Sequence, residues 1–259
     1  MSLIAENLSV RYGRTQVLDG LNLIAQPGQF TAIVGPNGSG KSTLIKAICG
    51  DLHYEGTVRL NSIDVAKAKP WALSAVRGVL PQASTLAFPF HAIEVVRIGL
   101  STGSSGAHHG LAEAALARVG LQGYAHRFFQ ELSGGEQQRV QLARVLAQVW
   151  DPVTDQGPCW LMLDEPVSSL DVAHQLQVMK IVLEYARAGG GVLAVMHDLN
   201  LTALFADYMV VMAEGAGRAR GAPQDVMTDE VLSDAYGCAL RVNTRPIGAT
   251  PFILPHAAV

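Results

Sequence analysis

The stretch Gly35-Pro36-Asn37-Gly38-Ser39-Gly40-Lys41-Ser42-Thr43 sets three glycines, a lysine and adjacent hydroxyls at short intervals. Glycines let backbone N–H groups converge on an anion, and the N-terminus of a following helix adds positive potential. The spacing Gly35-x-x-x-x-Gly40-Lys41-Ser42 is that of a phosphate-binding loop, in which Lys41 reaches the β- and γ-phosphates and the Ser42 hydroxyl can ligate Mg²⁺. A second group, Leu161-Met162-Leu163-Asp164-Glu165, sets two carboxylates directly after an apolar run. In this reading Asp164 orients a Mg²⁺ shell and Glu165 polarises an attacking water as general base. In the third group, Leu132-Ser133-Gly134-Gly135-Glu136, the Ser133 and Glu136 pair is a capping box for a helix start. Two glycines in a first helical turn each cost up to about 1 kcal/mol relative to Ala, so a cap alone does not favour them. Bare amides there make an anion site, and both readings stand together.

These groups need elements to position them. Leu3–Leu23 reads as short antiparallel strands broken at Gly13, Asp19 and Gly20. Phe30–Val34 is an apolar strand running into the phosphate loop, and a helical pattern follows through Cys49. Gly56–Leu60 and Gly78–Leu80 read as further strands, the second ending at Pro81-Gln82. Helical periodicity then predicts helices over Ala92–Leu100, Leu111–Val119 and Glu136–Trp150, with a small-residue loop at Ser101–Gly110. His108 and His109 in that loop have no third ligand and read as solvated side chains. Trp160–Leu163, Val192–Met196 and Met209–Met212 are apolar runs separated by the helix-compatible segments Val172–Arg187 and Leu199–Phe205, the rhythm of parallel βα units. A helical segment over Asp225–Tyr236 leads to a tail with Pro246, Pro251 and Pro255. The expected fold is α/β: a phosphate-loop core over 1–82 and 151–259, an N-terminal antiparallel β element, and a helical subdomain inserted over 83–150.

At 259 residues, with 49% hydrophobic and 16% charged side chains, the chain falls among globular proteins and outside the disordered class. A net charge of −3 leaves no basic footprint, so nucleic acid is not an expected partner. Cys49, Cys159 and Cys238 lack CxxC spacing and read as buried thiols in a reducing compartment. MSLIAENLSV has no positive leader or apolar h-region, and the apolar runs fall short of the ~18 residues of a membrane span. The chain is expected to stay in the cytoplasm and not to be a pore.

With these motifs in order, the sequence resembles the ATP-binding cassette ATPases over nearly its whole length, LSGGE at 132–136 being their signature. The resemblance adds Tyr12 as an adenine-stacking aromatic, Gln82 as the Q-loop glutamine that shares in the metal site and catalysis, Asp171 as the D-loop acid, and His197 as the catalytic histidine. Without it, Tyr12 is a strand aromatic, Gln82 a loop residue, His197 a helix-initiating histidine, and Asp171 an N-cap for Val172–Arg187. Val167 departs from the family, which more often has Thr there.

The resemblance implies ATP with Mg²⁺, and a homodimer in which each ATP lies between the phosphate loop of one subunit and the signature of the other. Two permease subunits would hold it at the cytoplasmic face of the inner membrane. Leu80–Phe90 and the long connection Trp150–Cys159 resemble heme-import subunits, which implies a periplasmic heme-binding protein as an indirect partner; a tolerated surface insertion is the other reading of 150–159. Ferric-siderophore and vitamin B12 import, or a non-transport clamp or regulator, are the alternatives.

Overall fold

The computed structural model describes residues 1–82, 86, 88–103, 110–245, 248 and 251–254. His108, His109, Pro246 and Pro255 lie outside the described residues, as do residues 83–85 and 87 of the segment 80–90. The chain opens with an antiparallel hairpin, β1 (Leu3–Tyr12) and β2 (Thr15–Ala25), and then enters β3 (Phe30–Val34), the phosphate loop and α1 (Lys41–Ile48). Next come β4 (Glu55–Leu60), β5 (Ile63–Asp64), α2 (Pro70–Ser74) and β6 (Arg77–Leu80). The helical subdomain contributes α3 (Ala92–Thr102), α4 (Leu111–Arg118) and α5 (Gly134–Gln148). A small hairpin, β7 (Val153–Thr154) and β8 (Gly157–Pro158), leads to β9 (Trp160–Asp164), α6 (Val172–Arg187), β10 (Gly191–Val195), α7 (Leu199–Phe205) and β11 (Tyr208–Ala213). The chain closes with β12 (Ala216–Gly221), α8 (Pro223–Val226) and α9 (Asp229–Tyr236).

The central sheet has the order β12-β11-β3-β10-β9-β6, parallel except for the edge strand β12. Strands β3, β9 and β10 are buried at every position, as apolar strands covered on both faces must be. Their side chains divide by the two-residue period of a strand. Leu161, Leu163, Val192 and Ala194 face the core shared with α5 and α6, whereas Trp160, Met162, Leu193 and Val195 face the core shared with α1 and the antiparallel sheet β2-β1-β4-β5. Each such fully buried Leu or Val contributes about 1.5–3 kcal/mol, and this double layer fixes the sheet that carries the chemistry.

Three expectations are corrected. Asp19-Gly20 does not break the second strand: β2 continues to Ala25, and the pairings Leu8↔Leu21 and Val10↔Leu18 absorb one extra residue as a bulge. The segment Asp225–Tyr236 is two helices, because Thr228 leaves the helical path and its side chain accepts from the Val231 amide at 3.2 Å, capping α9 anew. Cys238 is exposed, while Cys49 and Cys159 are buried. Residues 153–158 form a hairpin tied to the β4–β5 turn, where Asn61 Nδ2 donates to the Pro158 carbonyl at 2.9 Å. β12 was not expected; its sequence AGRARG has no apolar alternation, and pairing follows from the Glu214-Gly215 turn, where both residues have positive φ.

Candidate active site

Four neighbouring strands of the sheet, β3, β10, β9 and β6, are parallel and in register, so their C-terminal ends lie along one edge. That edge is where open α/β sheets bind ligands. Beyond β3 the edge carries the phosphate loop, beyond β9 Asp164 and Glu165, beyond β10 His197, and beyond β6 Gln82. Residues more than a hundred positions apart meet because parallel pairing sets Val195 beside both Ile33 and Asp164.

In the loop, Gly38 and Gly40 have φ of 81° and 96°, a backbone path that L side chains rarely adopt. A side chain at Gly35 would lie 2.1 Å from the Met212 carbonyl oxygen, so the loop also needs glycine to pass β11. Lys41 is buried and its Nζ donates to the Gly35 and Pro36 carbonyls at 2.8 and 2.9 Å. Burial lowers its pKa, opposed by the nearby charges of Glu165 and Asp164. The loop thus folds around its own ammonium, held by two loop carbonyls.

Ser42 Oγ donates to Asp164 Oδ1 at 3.2 Å. Burial raises the Asp164 pKa, partly offset by that hydrogen bond. A hydroxyl and a buried carboxylate beside a phosphate loop are hard oxygen donors, and they fit Mg²⁺. Gln82 is turned elsewhere: its Nε2 donates to Glu165 Oε1 at 2.8 Å, and among the described residues it has no hydrogen bond to Ser42 or Asp164. His197 Nε2 lies 2.6 Å from the same Glu165 oxygen. Glu165, Gln82 and His197 therefore form one cluster, and Ser42 with Asp164 another.

Glu165 holds φ of 55°, a left-handed conformation uncommon for a residue with a side chain. Its amide donates to the Val195 carbonyl at 3.2 Å, and its carbonyl accepts from Gln138 Nε2 at 2.9 Å. Residue typing alone does not single out Gln138; the available signal was its place one turn beyond the Ser133–Glu136 cap on α5. The cap itself forms as read: Glu136 accepts from the Ser133 amide, which holds its carboxyl below the usual range, and its amide donates to Ser133 Oγ at 3.3 Å. Gly134 and Gly135 follow as the first helical residues. Asp171 caps α6 by accepting from the His174 amide at 2.9 Å, and that bond lowers its pKa. Tyr12 ends β1 with its ring half exposed. Val167 is buried in the main core.

Residues 18–168 match the family described as ABC transporter. The chain belongs to that family. It is an ATP-hydrolysing cassette of this class. Among relatives, the Hemin import ATP-binding protein HmuV of Jannaschia sp. (strain CCS1) is 61% identical over 256 residues, spanning 99% of this chain and 95% of that protein. The protein of the same name from Roseobacter denitrificans is 59% identical, spanning 100% and 99%. Among solved structures, a dimeric bacterial ABC transporter cassette superposes with a TM-score of 0.75 at 26% identity, covering 85% of this chain and 98% of that one. A dimeric post-hydrolysis state of an ATP-binding cassette bound to ADP and Pi gives the same TM-score, identity and coverage. Among the described residues of the cassette, no helix is long and apolar enough to cross a membrane.

Proposed function

We propose that this cassette is the ATPase subunit of a heme importer, a homodimer at the cytoplasmic face of the inner membrane that drives two permease subunits fed by a periplasmic heme-binding protein. The observation that carries the catalytic reading is the convergence of Gln82 and His197 on one oxygen of Glu165. The cargo reading rests on relatives named for hemin import at 53–61% identity over nearly the full chain.

Nucleotide phosphates take over Lys41 from the Gly35 and Pro36 carbonyls, the amides of Gly38, Ser39, Gly40, Ser42 and Thr43 close round them, and Tyr12 stacks on the adenine. Asn37 and Pro36 shape the loop. Ser42 and Asp164, with Gln82 once it is released from Glu165, would hold Mg²⁺, which when bound neutralises charge developing on the phosphates. Glu165 accepts a proton from water as its oxygen attacks the γ-phosphorus, the bond to the β-phosphate oxygen breaks, and ADP and phosphate leave. His197 holds the Glu165 carboxylate in line with the water, and Gln82, once released to the metal, borders that water. Ser133, Gly134, Gly135 and Glu136 of one subunit, with Asp171, close over the ATP held by the other. The exposed Phe88, next to the Q-loop, offers the permease an apolar contact.

Reconstitution with a permease and binding protein tests this reading, comparing heme, ferric siderophore and cobalamin for ATP-coupled uptake. Heme uptake that stops with Glu165→Gln is the expected result. Uptake of cobalamin without heme would overturn the cargo, and a cassette that never co-purifies with a permease from membranes would overturn the transporter role.

A further inference from the structure

Gln138 stands on α5, the helix whose first turn is the signature, yet its side chain leaves the helical subdomain and reaches the catalytic loop. Its Nε2 donates to the Glu165 carbonyl at 2.9 Å, and its Oε1 accepts from the Ser169 amide at 3.2 Å. A neutral carboxamide can do both at once; a carboxylate cannot donate, and an alkyl chain can do neither. The two bonds tie both ends of the turn from Glu165 to Ser169 to one side chain.

Glu165 needs such a tie because its φ of 55° is costly for a side-chain-bearing residue and persists only where surroundings over-determine it. From within the turn, the Ser168 amide and hydroxyl approach the same carbonyl at 3.4 and 3.3 Å, longer than the Gln138 bond. From β10, the Val195 carbonyl accepts the Glu165 amide. Among the described residues, Gln138 is the holder that comes from the helical subdomain. One turn earlier on α5, Gly135 is seated on the same loop: a Cβ there would lie 3.1 Å from Leu170 Cδ2 and 3.2 Å from the Ser169 carbonyl oxygen. The N-terminal part of α5 and residues 165–170 therefore form one packed block.

We infer that Gln138 is a positioning residue, which sets the Glu165 carboxylate according to where the signature helix lies. The inference rests on Glu165 being the general base and on the signature meeting the ATP of the partner subunit. A helix drawn onto the partner's nucleotide then carries the Glu165–Ser169 turn with it, so occupancy of one ATP site aligns the base of the other. Coupling of this kind appears in kcat and in how steeply the rate rises with ATP occupancy, rather than in the affinity of a single site.

The test uses the full chain with three variants. Gln138→Leu removes both hydrogen bonds at similar volume, and Gln138→Glu keeps the acceptor for Ser169 but presents a second acceptor to the Glu165 carbonyl. Both are expected to lower kcat roughly 10–100-fold, the scale of a misplaced catalytic group. KM for ATP should stay within about twofold and the Hill coefficient should fall toward one, with binding of a fluorescent ATP analogue intact as the sign of a folded cassette. Combined with Glu165→Gln, Gln138→Leu should add no further loss, since it acts through a carboxylate already absent. Wild-type kcat in Gln138→Leu, a change confined to KM, or losses that multiply in the double variant would overturn the role of Gln138. Those results beside a slow Glu165→Gln leave the base assignment standing, whereas a fast Glu165→Gln overturns both.

Discussion

The Ser42 hydroxyl donates to Asp164 Oδ1 at 3.2 Å, joining the first turn of α1 to the end of β9 across 122 positions of chain. The bond seats a carboxylate where burial disfavours its charged form. A folded-state pKa raised above the unfolded value contributes stability that is fully present below the unfolded pKa and is lost as pH rises through the folded value. At neutral pH the ionised Asp164 is thus a cost to the metal-free fold. Asp164→Asn, which keeps an acceptor for Ser42 without the charge, should unfold at a higher temperature than the native chain at pH 7 in EDTA. The gap should narrow toward pH 4, while ATP hydrolysis is lost. A lower melting temperature at pH 7 would contradict the assignment.

Ser133 is exposed on a single chain, and its side chain serves the α5 cap. Ser133→Arg should leave the phosphate loop able to bind nucleotide, as read by an ATP analogue, but lower hydrolysis by about 10²-fold or more because the partner's ATP loses its cover. Full activity would mean that the site does not span two subunits.

The thiols differ in environment. Burial pushes Cys49 up to about 12 and Cys159 up to about 11, so neither presents a thiolate near neutral pH, whereas Cys238 is exposed. Iodoacetamide at pH 8 should add one label per native chain, at Cys238, and three after denaturation. Mass spectrometry showing labelled Cys49 or Cys159 in the native protein would contradict the packing of α1 or β9.

Much of this was legible in the sequence because three of the strands that carry the site, β3, β9 and β10, are buried at every position and mostly apolar. Phe30–Val34 and Trp160–Leu163 declare themselves by composition, and the loop and the carboxylate pair sit at their ends. The bounds of α6 and α7 match the periodicity residue for residue. What escaped was set by tertiary contact. β12 has no apolar pattern and pairs because a turn returns it to β11; Asp19-Gly20 looks like a break and is a bulge. The resemblance gives Gln82 a share in catalysis and in the metal site, but not its hydrogen bond to Glu165, and no spacing rule reveals that Gln138 reaches the same residue. The exposure of Cys238 depends on where α9 ends.

The central claim is that Glu165, held by His197, takes the proton from the attacking water. Single-turnover hydrolysis of bound ATP by Glu165→Gln tests it most directly. The predicted result is undiminished ATP binding with hydrolysis slowed by roughly 10²–10⁴; hydrolysis near the native rate would contradict it.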